Sequence, residues 1–265
     1  MRFTVFCRAI LNHCSLQYKS LGLWLTLLIA GIPVQAALPE VIHQIKPSVV
    51  GVGTYHKLNT PRANLMGTGF AVGDGSFIAT NSHVVPATLA SNRNTDIVVF
   101  IGTGTAPDVR TARVIARDDE HDLALLKISG QSLRPLRLSA HPVREGEMYS
   151  FTGFPIGAVL GLYPVTHRGM ISSITPIAIP ARTAKELSIA RLKQLKKPYL
   201  VYQLDATAYP GNSGSPVYHQ NTGEVIAIIN KVLVKKSKEN ALSDPSAITY
   251  AIPIRYLTQL MTQLP

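Results

Sequence analysis

The sequence predicts an all-β fold, a β-sandwich or a β-barrel arranged in two similar halves. Short apolar runs recur along the chain, and Gly, Pro, Asn and Asp residues occupy the gaps between them. Many short strands with regular turn signals indicate a sandwich or barrel rather than alternating β–α units. The segment Leu133–Pro142, which carries prolines and arginines, separates two sets of runs and is the expected link between the halves.

The apolar runs are the predicted strands. In the first half they are Ser48–Val52, Met66–Val72, Phe77–Thr80, Asp96–Ile101, Arg113–Ala116 and Leu123–Ile128. In the second half they are Met148–Gly153, Thr166–Ser173, Tyr199–Leu204, Ser215–Tyr218, Glu224–Asn230 and Ile248–Ile252. Apolar residues at helical spacing predict helices around Glu40–Lys46, over Thr183–Lys197 and over Ile254–Leu264.

The first 36 residues have the order of regions found in a secretory signal peptide. Their charged residues are all basic, the apolar block Leu21–Ile32 follows, and small residues mark a cleavage site after Ala36. The alternative is an uncleaved membrane anchor, because the uncharged segment Ser20–Pro39 is nearly long enough to span a bilayer. Pro33 and Gln35 argue against the anchor, so we expect residues 1–36 to be removed on export.

Both cysteines of the chain, Cys7 and Cys14, lie in this leader. The mature protein is therefore expected to have no disulfide, no thiol nucleophile and no cysteine-based zinc site. An exported protein without disulfides fits a bacterial periplasm better than a eukaryotic extracellular setting, and secretion beyond the envelope stays open.

The composition is basic, with 26 Lys and Arg residues against 15 Asp and Glu residues and a net charge of +11. A basic exported protein can be drawn to anionic surfaces. Two basic stretches predict contact with an anionic envelope surface or substrate, the alternative being charges that serve only solubility. Their residues are Arg182, Lys185, Arg191, Lys193, Lys196, Lys197, Lys231, Lys235, Lys236 and Lys238.

The segment Tyr209–Val217 reads YPGNSGSPV and holds Ser213 between Gly211 and Gly214. Glycines permit backbone conformations that are closed to other residues, and they let a substrate approach closely. The amide groups of Gly211 and Ser213 can then point to one place beside the serine hydroxyl, which is the geometry of an oxyanion hole. The alternative is a simple turn between two strands.

A reactive serine needs a base, and the base needs an acidic partner. His83 stands out among the histidines because it follows an apolar strand that ends at a loop. Asp122 directly precedes an all-apolar run, where a carboxylate is costly unless a donor such as an imidazole N–H hydrogen bonds to it. The nearby Asp118 and Asp119 are better explained as turn residues.

The remaining histidines are not expected to take part in the chemistry. His121 would point to the other side of a strand, and a metal site made of His83, His121 and Asp122 has no ligand-type spacing to support it. The others lie in polar or turn-like surroundings and are expected to be solvated: His43, His56, His141, His167 and His219.

Three segments in this order resemble the active-site segments of trypsin-like serine proteases. They read ATNSHVV around His83, HDLALLKI around Asp122 and DATAYPGNSGSPV around Ser213. They are most similar to the HtrA (Deg) branch of bacterial envelopes, and the order His, Asp, Ser is that of the chymotrypsin fold. Further similar segments are GTGF at 67–70, GFPIG at 153–157, the strand at 165–172 and YAIPI at 250–254.

The resemblance covers about residues 39 to 254 and implies two packed antiparallel β-barrels of the chymotrypsin type. Residues 37–138 would form the barrel with His83 and Asp122, and residues 139–265 the barrel with Ser213 and a short terminal helix. Ser213 would be the nucleophile, His83 the general base and then acid, and Asp122 the group that orients His83. Gly211 and Ser213 would supply the oxyanion-hole amides, Asn212 would shape their loop, and no metal or cofactor would be needed.

Two departures from the family pattern affect these expectations. The family usually has Gly where this chain has Ser215, a small change that we expect to tighten the turn without blocking the hydroxyl of Ser213. HtrA proteins normally carry peptide-binding PDZ domains after the segment that ends at Ile254, and only eleven residues follow it here. We therefore expect neither substrate capture nor regulated assembly through such domains.

The specificity of cleavage is the feature that the sequence indicates least directly. In this fold the residue six positions before the nucleophile lies at the floor of the primary pocket, and here it is Thr207, with Asp205 nearby. A neutral floor does not favour Arg or Lys, and the pocket walls at Ile228, Ile229 and Asn230 suit small or medium aliphatic side chains.

The predicted function is that of an exported serine endopeptidase acting on polypeptides, unfolded ones included, without a nucleic-acid partner. The first alternative is a catalytically latent scaffold or binding protein of the cell envelope that has a protease fold. The second is an acyl-transferring or esterolytic enzyme that uses the same triad on a bond other than a peptide. The oligomeric state is not indicated.

Overall fold

The computed structural model describes residues 38–85, 95–155, 161–177, 198–232 and 248–264. The predicted leader, the predicted helix Thr183–Lys197 and nearly all of the two basic stretches lie outside the described residues. No helix within these ranges is both long enough and apolar enough to cross a membrane.

The first six strands close into an antiparallel barrel. They are β1 Val49–His56, β2 Ala63–Val72, β3 Phe77–Thr80, β4 Thr95–Ile101, β5 Asp108–Asp118 and β6 Leu123–Ile128. Around the barrel they follow the order β1-β2-β3-β6-β5-β4. In this order β3 is the neighbour of β6, although β4 and β5 lie between them in the sequence. The end of β3 therefore lies beside the start of β6, and Thr80 pairs with Ala124.

The next six strands close into a second antiparallel barrel. They are β7 Met148–Gly153, β8 Val165–Pro176, β9 Leu200–Asp205, β10 Pro216–His219, β11 Val225–Val232 and β12 Ile248–Pro253. Their order is β10-β11-β12-β9-β8-β7. Two closed barrels settle the choice between sandwich and barrel that the apolar pattern left open, and closure leaves no unpaired strand edge.

Each predicted strand is present, and the differences lie at the ends. Phe77–Thr80, Leu123–Ile128 and Met148–Gly153 have the predicted bounds, whereas β5 extends well beyond the predicted Arg113–Ala116. Three of its first four residues, Asp108, Arg110 and Thr111, are polar, so this part has no continuous apolar run. These residues nevertheless pair with Ile97–Ile101 of β4. Pairing with β4 therefore makes β5 longer than its apolar residues predict.

Within the described ranges two short α-helices flank the barrels, α1 at Leu38–Ile45 and α2 at Ile254–Met261. Helix α1 precedes the first barrel, yet its buried Val41 and Ile45 lie against Gly223 in the turn between β10 and β11 of the second barrel. Helix α2 follows the second barrel and packs against both β5 and β11. Each helix thus contacts the barrel that does not adjoin it in the chain.

The barrels also share a hydrophobic core. Phe70 and Leu125 of the first barrel and Tyr218 and Ile228 of the second are fully buried in one cluster. This shared core holds the two barrels against each other, and the loops that carry the predicted catalytic residues emerge beside it. The strands of each barrel fall within the predicted ranges 37–138 and 139–265, whose boundary stays a prediction.

Candidate active site

His83 and Asp122 meet at the place where β3 ends and β6 begins. His83 lies in a single 3₁₀ turn, Ser82–Val84, that follows β3. The carboxylate of Asp122 accepts the backbone N–H of His83 at 2.9 Å, and its Oδ2 lies 2.6 Å from the imidazole Nδ1. The two side chains are only 27% and 18% exposed. A carboxylate at Nδ1 holds the proton there and leaves Nε2 able to accept one.

The backbone of Asp122 has a positive φ of 55°, and no other described non-glycine residue has a positive φ. This left-handed conformation is uncommon for residues other than glycine and is most readily adopted by Asn and Asp. The Asp122 carbonyl accepts hydrogen bonds from the Ser82 amide at 3.1 Å and from Asn81 Nδ2 at 3.0 Å. Four hydrogen bonds therefore hold Asp122 against the segment that carries His83.

Sequence reasoning missed Arg117, a residue of β5 that anchors the His83 segment from the other side. Its guanidinium donates to the carbonyl oxygens of Ser82 and Val85 at 3.2 and 3.1 Å, and to the Ser82 hydroxyl at 3.0 Å. That hydroxyl in turn donates to Asp119. These partners are 32 to 37 residues apart in the chain, so no local pattern indicates them.

Ser213 lies on a tight loop directly before β10. The Asn212 amide donates to the Tyr209 carbonyl at 3.0 Å, and Gly211, the third residue of this turn, has φ +101°. Pro at the second position and a positive-φ Gly at the third define a type II turn. The amide nitrogens of Gly211 and Ser213 have no hydrogen-bond acceptor in the described part of the chain. Both can therefore donate to a group outside the protein.

The Ser213 hydroxyl donates to the backbone carbonyl of Asn230, at 3.0 Å. Within the described ranges it makes no hydrogen bond with His83. The loop and the His83 segment nevertheless lie against the same short stretch of β2. A Cβ atom built on Gly67 would be 2.7 Å from Val84 Cγ2 and 2.9 Å from the Ser213 carbonyl oxygen. The fold thus brings the three predicted catalytic residues to one region.

The predicted pocket residues lie in different surroundings. Thr207 is half-buried on the segment that leads from β9 to the Ser213 loop. Ile228 and Ile229 are completely buried, and their side chains belong to two different hydrophobic clusters. Asn230 is 5% exposed, and its side-chain Oδ1 has no partner among the described residues. Their assignment to a substrate pocket stays a prediction.

The remaining histidines include one correction. His167 was expected to be solvated, but it lies in β8 with its ring stacked on Phe151 at 4.9 Å between centroids. Its Nε2 is buried with no hydrogen-bond partner among the described residues, and burial lowers the pKa of the imidazole. The residues next to His167 in the sequence are polar and do not indicate burial. Successive side chains of a strand point to opposite sides, and the ring of His167 lies on the inward-facing side.

His121 is separate from the predicted triad. Its Nδ1 lies 2.6 Å from Asp118 Oδ2, and its ring stacks on Tyr256 of α2 at 4.0 Å. No group of three or more His, Cys, Asp or Glu side chains suited to a metal ion occurs among the described residues.

The family model for the trypsin-like peptidase domain matches residues 67–228, which include His83, Asp122 and Ser213. The chain belongs to the trypsin-like peptidase domain family. The match begins at Gly67, on β2, and ends at Ile228, on β11, so it spans both barrels of this peptidase domain.

Similar proteins include HtrA proteases from animals and bacteria, which confirms the resemblance found in the sequence. Serine protease HTRA1B of Danio rerio is 29% identical over 230 residues, which cover 85% of this chain and 41% of that protein. The probable periplasmic serine endoprotease DegP-like of Hahella chejuensis is 28% identical over 211 residues, covering 79% of this chain and 38% of that protein. The chain spans about two fifths of the length of these relatives.

Solved structures of proteases share the fold of this peptidase domain. The active form of the Rv3671c protease from M. tuberculosis has a TM-score of 0.62 at 19% identity, covering 84% of this chain and 83% of that one. The serine endoprotease from Yersinia pestis has a TM-score of 0.60 at 22% identity, covering 88% of this chain and 67% of that one. These similarities confirm the predicted double barrel.

Proposed function

We propose that this peptidase domain is a serine endopeptidase that hydrolyses peptide bonds through a Ser-His-Asp triad. The observation that carries the proposal is the pair of hydrogen bonds from His83 to the Asp122 carboxylate. They hold the imidazole in one orientation, with its proton on Nδ1, so that Nε2 can accept the hydroxyl proton of Ser213. The comparisons support the same reaction, since the similar proteins carry the names of serine proteases.

In the proposed reaction Ser213 Oγ attacks the peptide carbonyl carbon while His83 takes its proton. The carbonyl oxygen becomes negative and is stabilised by the amides of Gly211 and Ser213, which have no acceptor in the described part of the chain. His83 then gives the proton to the leaving amine as the carbon–nitrogen bond breaks, which leaves an acyl-enzyme. Water, activated by the same imidazole, hydrolyses the ester and restores Ser213.

This sequence of steps requires one movement of the nucleophile. In the structure the Ser213 hydroxyl donates to the Asn230 carbonyl, so it must turn away from that carbonyl to donate to His83. Rotation of a single side chain about one bond is fast compared with catalytic turnover.

The proposed substrates are polypeptides, unfolded ones included, cleaved after small or medium aliphatic residues. The half-buried, neutral Thr207 supports this preference because it provides no buried charge for an Arg or Lys side chain. We also propose export by the leader 1–36 and action in the bacterial envelope. The similar protein from Hahella chejuensis, whose name includes "periplasmic", supports this location.

A catalytically latent protease fold is the second candidate, and the hydrogen bond between Ser213 and Asn230 is the observation that favours it. If that bond is never exchanged for one to His83, the serine stays a poor nucleophile. A scaffold or binding role in the envelope would then remain for the same fold.

Treatment of the purified protein with a fluorophosphonate probe and with unfolded casein separates these candidates. We expect the probe to label Ser213 and casein to be cleaved. Ser213→Ala should abolish labelling and lower turnover by about 10⁶-fold, whereas Ser129→Ala, on the surface of the first barrel, should leave both unchanged. Absence of labelling would support the latent scaffold. Labelling without cleavage of casein would point to a bond other than a peptide.

A further inference from the structure

We propose that Thr68, on β2 of the first barrel, is the positioning residue that holds the oxyanion hole of the second barrel in its working shape. The inference rests on the proposed function, because the hole has a role only if Ser213 attacks a carbonyl. Thr68 does not touch substrate in this proposal. It acts through the backbone of the loop Gly211–Ser213.

Thr68 makes two hydrogen bonds to this loop, one from its backbone and one from its side chain. Its amide donates to the Ser213 carbonyl at 2.8 Å, and its hydroxyl donates to the Gly211 carbonyl at 2.7 Å. The residue is completely buried. One threonine thus holds the carbonyls on both sides of Asn212. In the same three-residue loop the amides of Gly211 and Ser213 have no acceptor among the described residues.

The loop depends on such an external hold because its first residue is glycine. Gly211 has φ +101° and no side chain to restrict its torsions, so neighbouring conformations of the turn are accessible to it. Oxyanion donors are effective only within about 2.7–3.1 Å of the developing charge. A half-buried Gly211 carbonyl that lost its donor would be free to turn toward another one. The backbone torsions on either side would adjust, which would shift the amides of Gly211 and Ser213.

Thr68 is itself held by neighbours from both barrels. Its hydroxyl accepts the Phe154 amide at 3.0 Å, and its carbonyl accepts the Thr80 hydroxyl at 2.7 Å. Gly153 packs so closely against this region that a larger residue would not fit at its position. A Cβ atom built there would lie 2.9 Å from Thr68 Oγ1, 2.8 Å from Asn212 Oδ1 and 2.0 Å from Ser215 Oγ.

These bonds also connect the loop to the general base. Thr80 ends β3 and lies three residues before His83. Thr68 accepts a hydrogen bond from Thr80 and donates to Ser213 and Gly211, so these bonds join the two catalytic segments across the barrels. Thr68 therefore sets the position of the oxyanion amides relative to both the serine and the histidine.

The test compares Thr68→Val, which removes the hydroxyl at nearly constant shape, with Thr68→Ser, which restores it. Each is assayed for kcat and KM on a fluorogenic peptide that the wild type cleaves, and for inhibition by a peptide boronate, whose tetrahedral adduct places an oxygen in the hole. For Thr68→Val we expect a decrease in kcat of about 100-fold, a KM within about twofold, and boronate affinity reduced in parallel with kcat. Thr68→Ser should recover most of the wild-type kcat.

Thr152→Val is the matched control, because Thr152 is equally buried and its hydroxyl contacts Thr166 and Tyr218 rather than the loop. A Thr68→Val variant with unchanged kcat would overturn the inference. So would a Thr68→Ser variant as impaired as Thr68→Val, or a Thr152→Val variant that loses as much kcat as Thr68→Val. If Thr68→Val does not fold, Thr68→Cys takes its place with the same expected split between kcat and KM. A wild type that neither labels nor cleaves would instead overturn the proposed function and the inference with it.

Discussion

The backbone amide and the imidazole Nδ1 of His83 both bond to the single carboxylate of Asp122, at 2.9 and 2.6 Å. One carboxylate thus holds the main chain and the side chain of the same histidine. The ring orientation is therefore fixed relative to the backbone, and the ring can neither rotate nor change its tautomer without breaking a charge-assisted hydrogen bond.

Asp122→Asn tests this relationship. The amide that replaces the carboxylate is nearly the same shape but can present an N–H to Nδ1, which favours the tautomer with its proton on Nε2. We expect kcat for a peptide substrate near neutral pH to decrease by about 10⁴-fold, with the protein still folded by circular dichroism.

Asp118→Asn is the matched control for that variant. It makes the same change in the other His–Asp pair, where Asp118 contacts His121 at 2.6 Å. It should leave kcat within about twofold of the wild type, because nothing in the proposed chemistry passes through His121. An equal loss of kcat in both variants would contradict the assignment of Asp122.

Arg117→Met tests whether the segment of His83 needs its second anchor. The variant loses the hydrogen bonds to the carbonyls of Ser82 and Val85, so the 3₁₀ turn should move relative to Ser213. Small misplacements of catalytic groups are costly, and we expect kcat/KM to decrease by about 10- to 100-fold.

Arg113→Met is the control, since Arg113 lies on the same strand and makes no hydrogen bond to residues 82–85 of the described chain. Arg117→Lys should fall between Arg117→Met and the wild type, because a single ammonium group reaches fewer of these oxygens than the planar guanidinium does. Equal activity of Arg117→Met and Arg113→Met would show that Asp122 alone positions His83.

His167→Phe tests the consequence of the buried imidazole for stability. Burial lowers the pKa of His167, so the neutral ring is favoured in the folded protein. The unfolded chain takes up the proton at its ordinary pKa near 6.5, and the folded protein therefore loses stability as pH falls below that value. Phe keeps a ring against Phe151 and removes the titrating nitrogen.

Melting temperatures at pH 7.5, 6.5 and 5.5 would check this prediction. Between pH 7.5 and 5.5 the melting temperature of the wild type should decrease more than that of His167→Phe. His141 is exposed, so the melting temperature of His141→Phe should depend on pH as that of the wild type does. If the slopes of wild type and His167→Phe coincide, His167 does not contribute to the acid sensitivity.

Much of the candidate site could be predicted from short stretches of sequence. Ser213 between glycines, His83 after an apolar strand and Asp122 before a buried one each have a local signal, because turns and strand ends have preferred residues. Arg117 and Thr68 have no such signal. Arg117 is a cation next to an acidic turn, and Thr68 is a threonine inside a strand, which is where threonine is common.

The sequence by itself determined the strands, the order of the three candidate catalytic residues and the family, since these depend on local composition and on motifs of a few residues. The tertiary structure alone decided which distant groups hold that chemistry in place: Thr68 on the Ser213 loop, Arg117 on the His83 turn, and Asn230 as the present acceptor of the serine hydroxyl. The physical reason is that a hydrogen bond forms wherever closure of the barrels brings a donor to an acceptor. Whether a given donor comes within bonding distance of a given acceptor depends on strand order and register, which no short segment encodes.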